Sequence, residues 1–288
     1  MTTRPTPATR PAGPAQYAPT PPAGVPILMY HAIGHRPAAS TYGLSVSPEA
    51  FADQMELLHD RGFTPVTPAR LAGAWRAGDP LPERPVLITF DDGYAGVRRH
   101  ALPVLASYSF AAGLFVSTGW LRGRYDTGGA PDTMLDWDEV RELAAAGVEI
   151  GGHSHTHPQL DQLDDVRLTF EIRRCREILA TELGAPPASF AYPFGYSSRR
   201  VRHTVRTAGF AQSLAVGNAL ARRAQGPYAL NRVTVRRSTG LAEFAHLVEG
   251  RALTRAFALD RALTKGYALV RRARRAGAVV RGRPTAAA

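Results

Sequence analysis

Short apolar runs rich in β-branched and aromatic residues recur at 27–33, 86–90, 114–117, 148–151, 189–192, 211–216 and 230–235, each flanked by glycine, proline or polar residues. Runs of that length and composition predict strands. Between them, apolar positions return at steps of three and four over 48–61, 137–146 and 164–183, the spacing of amphipathic helices. Ser47 precedes the first helix, and Gly147 and Gly184 follow the second and third, where helices start and stop. Strand and helix alternating along one chain predict a parallel sheet or an α/β barrel. No internal repeat of about 20 to 50 residues is visible, which argues against a solenoid.

The pattern changes at both ends. Residues 1–25 are rich in Pro, Ala and Thr and contain no long apolar run, which suits a disordered, solvated leader better than a secretory signal peptide. Residues 26–250 carry the strand and helix pattern and form the expected globular domain. Residues 251–288 set Leu253, Phe257, Leu263, Tyr267 and Val270 among arginines, a basic amphipathic segment that would pack on the body or touch an anionic membrane surface. No stretch has the length of uninterrupted apolar sequence that a membrane span needs. A cytoplasmic or peripheral membrane location is therefore expected.

Composition sharpens this picture at two points. With 288 residues, 44% of them hydrophobic, the chain can bury one large core. Of the formal charge of +11, the leader contributes two Arg and no acid, and the last segment ten basic residues and one Asp, so the body is balanced. A nucleic-acid binder carries its positive charge on the folded surface that grips phosphate, so no specific nucleic-acid partner is expected. The single cysteine, Cys175, excludes an internal disulfide and a cysteine-based zinc cluster. Any metal site must use His, Asp or Glu.

Three polar clusters lie where predicted strands end, the place where α/β folds build active sites. Thr89-Phe90-Asp91-Asp92-Gly93-Tyr94 puts two carboxylates directly after an apolar run. Buried and unpaired they would be costly, which points to a cation or a shared proton; an ordinary Asp-Asp-Gly turn is the plain alternative. Gly151-Gly152-His153-Ser154-His155-Thr156-His157-Pro158 places three of the nine histidines within one loop. Two imidazoles with one carboxylate hold a zinc-like metal and leave positions open for water and substrate. Phe190-Ala191-Tyr192-Pro193-Phe194-Gly195-Tyr196 reads as a strand running into a turn, with aromatic rings that either wall a groove for sugars or fill the core.

In order, Thr-Phe-Asp-Asp-Gly, His-Ser-His-Thr-His and Tyr-Pro-Phe-Gly resemble the motifs of the polysaccharide deacetylase family, the NodB-homology domain, over about residues 26–235. The resemblance implies an α/β fold, a distorted seven-stranded (β/α) barrel. It also implies a hydrolase acting on non-peptide carbon–nitrogen bonds, which removes acetyl groups from N-acetylated or, less often, O-acetylated sugars with the help of a divalent transition metal: Zn²⁺, with Co²⁺ or Ni²⁺ as alternatives. By position Asp91 matches the family's catalytic base, and Asp92, His153 and His157 match its metal ligands. His155 matches no ligand position. Tyr192 and Phe194 would contact substrate, and the Phe194 backbone N–H would hold the developing oxyanion.

The chain also departs from the family. Ala191 stands where many members carry an Arg that tunes the catalytic Asp, and Arg232 is a candidate to supply that guanidinium from a later strand. The usual C-terminal strand ending in a catalytic His is not clear, because His246 lies in a stretch with helical spacing. His31, at the end of the first predicted strand, resembles a subgroup that supplies the catalytic His from near the N-terminus, and is the expected general acid. Two other readings stay open: hydrolysis of a non-sugar amide or imide at the same site, and a catalytically silent glycan-binding or membrane-associated module.

Overall fold

The computed structural model describes residues 24–260, together with 262–263, 266–268, 270–271 and 274. The 1–25 leader therefore lies outside the described residues up to position 23, as does much of the 251–288 segment. Val25 already belongs to the body: it is buried and bridges Ala221.

Among the described residues eight strands form, β1 (Ile27–Tyr30), β2 (Thr64–Pro65), β3 (Pro85–Asp92), β4 (Ala112–Val116), β5 (Val148–Gly152), β6 (Ser189–Ala191), β7 (Gln212–Leu214) and β8 (Val233–Thr234). Seven of them run in the order β7-β6-β5-β4-β3-β1-β8, all paired in parallel, while the two-residue β2 pairs only with β3. Leu230, just ahead of β8, bridges Leu214 of β7, so the sheet's two edges meet and the sheet curls into a distorted seven-stranded barrel.

Helices α1 (Pro48–Asp60), α2 (Pro68–Ala77), α3 (Leu102–Ser107), α4 (Trp137–Ala145), α5 (Asp165–Leu183), α6 (Arg199–Thr207), α7 (Leu241–Val248) and α8 (Leu253–Ala256) connect or follow the strands. Their starts are capped by side chains, at Ser47 as the sequence suggests and also at Asp136 and Asp164. Ser47 accepts from Ala50 N ahead of α1, Asp136 and Glu139 form a reciprocal capping box on α4, and Asp164 accepts from Arg167 N on α5. Gly184 takes the left-handed conformation, φ 76°, that ends α5.

Alternation along the strands sorts the core into two layers. Ile27, Leu87, Phe115, Ala191, Leu214 and Leu230 pack together inside the barrel. Leu28, Tyr30, Val86, Ile88 and Phe90 face outward, against Phe51, Met55 and Leu58 of α1 and the other covering helices. Inside, small residues make room for large ones: a Cβ on Gly151 would lie 2.5 Å from the Phe115 ring. Leu253 and Phe257 are buried in the outer core, so the chain beyond 250 begins as part of the body.

Candidate functional site

Strand parity carries the site's side chains to one end of the barrel. On β3, Leu87, Thr89 and Asp91 share the inward face; on β1, Ile27 and Met29 do, and His31 continues the series. The parallel register sets Met29 beside Thr89, so His31 falls beside Asp91. Asp92 would point outward by the same rule, but its backbone has φ 75°, which breaks the alternation and brings both carboxylates into one cavity. That cavity, of about 360 Å³, is lined by His31, Asp91, Asp92, His153, His157 and Phe194 among others.

Asp92 Oδ1 lies 3.2 Å from His153 Nε2 and 3.3 Å from His157 Nε2. His153 Nδ1 is 2.8 Å from the Ala191 carbonyl, which fixes the proton on Nδ1 and leaves the Nε2 lone pair facing the carboxylate. Asp92 Oδ1 consequently has no hydrogen-bond partner although it is buried. One ligand atom from each of the three residues lies within 4.8 Å of the others, the arrangement of electron pairs that a cation satisfies.

Asp91 is held differently. Arg232 is fully buried and donates from Nη1 to Asp91 Oδ1 and from Nη2 to Oδ2, both at 2.6 Å, while its Nε donates to the Ala215 carbonyl at 3.2 Å. Burial pushes the Asp91 carboxyl upward, but the charge and hydrogen bonds of Arg232 work against it and the net shift is downward. Asp92 is also burdened by burial, and contacts with His153 and His157 hold it well below the usual carboxylate range. Burial lowers the pKa of His31, against the pull of Asp92 and Asp91. His31 Nδ1 is buried without a partner.

The histidine loop is braced from behind. Glu171 on α5 accepts from His155 N at 2.9 Å, Thr156 N at 2.8 Å and Thr156 Oγ1 at 2.6 Å, and Ser154 Oγ accepts from His157 N at 3.0 Å. Trp120 stacks on the His157 ring at 4.4 Å, and Phe194 meets it from another side at 4.8 Å. His155 is buried with Nδ1 2.9 Å from Thr118 Oγ1, outside the ligand cluster. Of the seven non-glycine residues with positive φ among the described residues, Asp92, Ser154, His157 and Phe194 all belong to this region. Such backbone strain concentrates where a site must hold side chains in fixed directions.

The structure thus brings together Asp91, Asp92, His153, His157, His31 and Phe194 in one cavity, and pairs Arg232 with Asp91. Tyr192 also borders this cavity. Its side chain is fully buried, packs in one cluster with Phe190 and Phe210, and its hydroxyl contacts Ser213 Oγ at 2.6 Å and the Tyr228 carbonyl at 2.9 Å. His246 sits exposed on α7, away from the cavity lining. Sequence reasoning missed Glu171 and Trp120. A signal for Glu171 existed: a lone carboxylate on the stripe Leu168, Ile172, Cys175 and Leu179 that α5 buries.

The family model for polysaccharide deacetylases matches residues 78–213, the stretch from β3 to β7 that contains all three motifs. The Bacillus subtilis protein YxkH is 29% identical over 229 residues, 79% of this chain and 77% of that protein. The poly-β-1,6-N-acetyl-D-glucosamine N-deacetylase of Escherichia coli K12 is 25% identical over 246 residues, 73% of this chain but 36% of its own length. The solved structure of the Streptococcus pyogenes deacetylase PplD with acetate superimposes with a TM-score of 0.71 at 24% identity, covering 79% of this chain and 99% of that one, and shows the same fold.

Proposed function

We propose that this member of the polysaccharide deacetylase family hydrolyses the acetamido groups of N-acetylated sugars in a polysaccharide or glycoconjugate, with Asp92, His153 and His157 holding a divalent transition metal. The observation that carries this reading is the buried, unbonded Asp92 Oδ1 between two imidazole nitrogens, next to a second carboxylate kept ionised by a buried arginine. The nitrogen and oxygen donor set suits Zn²⁺, Co²⁺ or Ni²⁺ better than Ca²⁺. When bound there, such a metal supplies Lewis acidity, polarising the acetyl carbonyl and acidifying water.

The chain's own residues supply the proton transfers. Asp91, ionised and oriented by Arg232, accepts the proton of the attacking water. His31 in its protonated form donates to the departing amine nitrogen, so that acetamide and water become acetate and amine. The Phe194 backbone N–H donates to the acyl oxygen as it gains charge. The half-exposed Phe194 ring offers an apolar face to a sugar beside the scissile group.

Acetate release from chitooligosaccharides, β-1,6-linked N-acetylglucosamine oligomers and small amides tests the substrate class. Chelation should abolish activity, and added Zn²⁺, Co²⁺ or Ni²⁺ should restore it. Asp92→Asn should lose bound metal, whereas Asp91→Asn should keep it and lose turnover. Full activity in metal-stripped protein, or release from amides alone, would overturn this reading.

A second reading concerns location. Among the described residues no helix is long and apolar enough to cross a membrane. Leu259, Leu263, Tyr267 and Val270 are nevertheless exposed, in a segment whose sequence is otherwise strongly basic. We infer peripheral contact of this segment with an anionic membrane surface.

A further inference from the structure

A second cavity, of about 330 Å³, opens beside the catalytic one and is lined by Asp161, Gln162, Ser197, Ser198, Arg199 and Arg271, with Arg200 and Ala268. Its size falls in the range of ligand pockets, roughly 300 to 1,000 Å³. Stacked rings link the two cavities. Phe194 lies 4.8 Å from the His157 ring and stacks on Tyr196 at 5.9 Å, and the Arg271 guanidinium carbon lies 3.3 Å from the centre of the Tyr196 ring.

Arg271 belongs to the basic C-terminal segment, yet it is only 6% exposed. Its Nε donates to Asp161 Oδ2 at 2.9 Å, while Nη1 is buried with no hydrogen-bond partner. An arginine is seldom buried without full pairing, and an unmet N–H group in a cavity wall is a donor awaiting an acceptor. A second donor set adjoins it. Ser198 caps α6 by accepting from Val201 N, and the other amides of that first turn have no partners within the helix. Gln162, Ser197 and the Asp161 carboxylate add mixed donors and acceptors, which suits a polyhydroxylated ligand rather than a simple ion.

We propose that this cavity is a second saccharide subsite, completed by Arg271 of the C-terminal segment. A sugar unit neighbouring the one deacetylated lies across the Phe194 shelf and sets its oxygens against Arg271 and Arg199. The proposal rests on the glycan deacetylase reading and adds to it that Arg271 of the C-terminal segment and Arg199 of α6 hold the neighbouring sugar.

The test is kcat and KM for acetate release from N-acetylglucosamine oligomers of one to six units, with the full chain and bound metal. The wild type should gain about tenfold or more in kcat/KM with length, the equivalent of one good charged hydrogen bond. Arg271→Ala and Arg199→Ala should flatten that gain through KM. Arg199→Ala guards against mere loosening of the C-terminal segment, because Arg199 belongs to α6 and not to that segment. Arg206→Ala, elsewhere on α6, should retain the length dependence. A wild type indifferent to length while cleaving the monomer would overturn the subsite and leave the deacetylase reading intact. If no oligomer releases acetate, that reading fails instead, and calorimetric binding of the tetramer decides the subsite: affinity unchanged by both Arg271→Ala and Arg199→Ala overturns it.

Discussion

Burying Arg232 and Asp91 together removes two charges from water, a cost that two 2.6 Å hydrogen bonds in a bidentate pair offset and that a single missing partner would expose in full. What the pair provides is a carboxylate ionised and fixed in direction before substrate arrives. The guanidinium comes from Arg232, directly ahead of β8, instead of from position 191, which is Ala. His31 follows β1, the strand between β3 and β8, and differs from Asp91 in having a ring nitrogen with no partner. If it is the proton donor, His31→Ala should cut turnover by roughly 10² to 10⁴ with metal content unchanged, the usual contribution of a positioned acid. His246→Ala, exposed on α7, should stay near wild type. The donating form is the protonated imidazole, so activity falls as pH rises through its pKa, and His31→Ala should remove that alkaline limb. A His31→Ala enzyme with near-normal rate and the limb intact would return the role to another group or to water.

At the scale of elements, loops after the strands hold the site, and their glycines set its shape. Gly195 has φ 71°, and a Cβ there would meet Val216 atoms at 2.5 Å and its backbone nitrogen at 2.8 Å. Gly195→Ala should therefore cost about 1–3 kcal/mol in denaturant unfolding and raise KM by displacing Phe194. Gly62→Ala, also at positive φ but with open space around it, should cost less and leave KM alone. The same element scale shows what the sequence made readable. Seven barrel strands and helices α1, α4 and α5 follow from apolar spacing, the cap at Ser47 and the stops at Gly147 and Gly184, because those signals are local. Helix α6 was not read, since Arg199–Thr207 buries only Val201 and Val205 among polar and charged residues. Tyr192 borders the catalytic cavity while its ring is fully buried beside Phe190, a placement that motif position alone does not reveal. The left-handed turn at Asp92, which unites the two carboxylates, has no counterpart in composition. Arg232 was legible only as a candidate for the guanidinium, with a surface position as the plain alternative, because its pairing with Asp91 joins residues far apart in the chain.

At the scale of the whole molecule, charge and apolar surface separate. The body is balanced, while residues 251–288 hold ten basic residues against Asp260, which is itself paired with Arg236 at 3.0 Å. Within this segment Leu253, Phe257 and Arg271 are buried against the body, and Leu259, Leu263, Tyr267 and Val270 are exposed. The second set is left uncovered where the first is docked on the body. A stripe of that kind among arginines is matched by a lipid surface of opposite charge, where each basic residue adds about 1 kcal/mol close to the headgroups. The full-length protein should therefore float with vesicles containing phosphatidylglycerol and remain behind with pure phosphatidylcholine. Binding should weaken with salt, since at about 1 M ionic strength charges are screened beyond roughly 3 Å. Leu263→Glu with Tyr267→Glu should reduce flotation without changing metal content, because neither residue approaches the catalytic cavity. Equal recovery with both vesicle types, or a double variant that floats like the wild type, would remove the membrane from the account and leave the stripe as a surface for another partner.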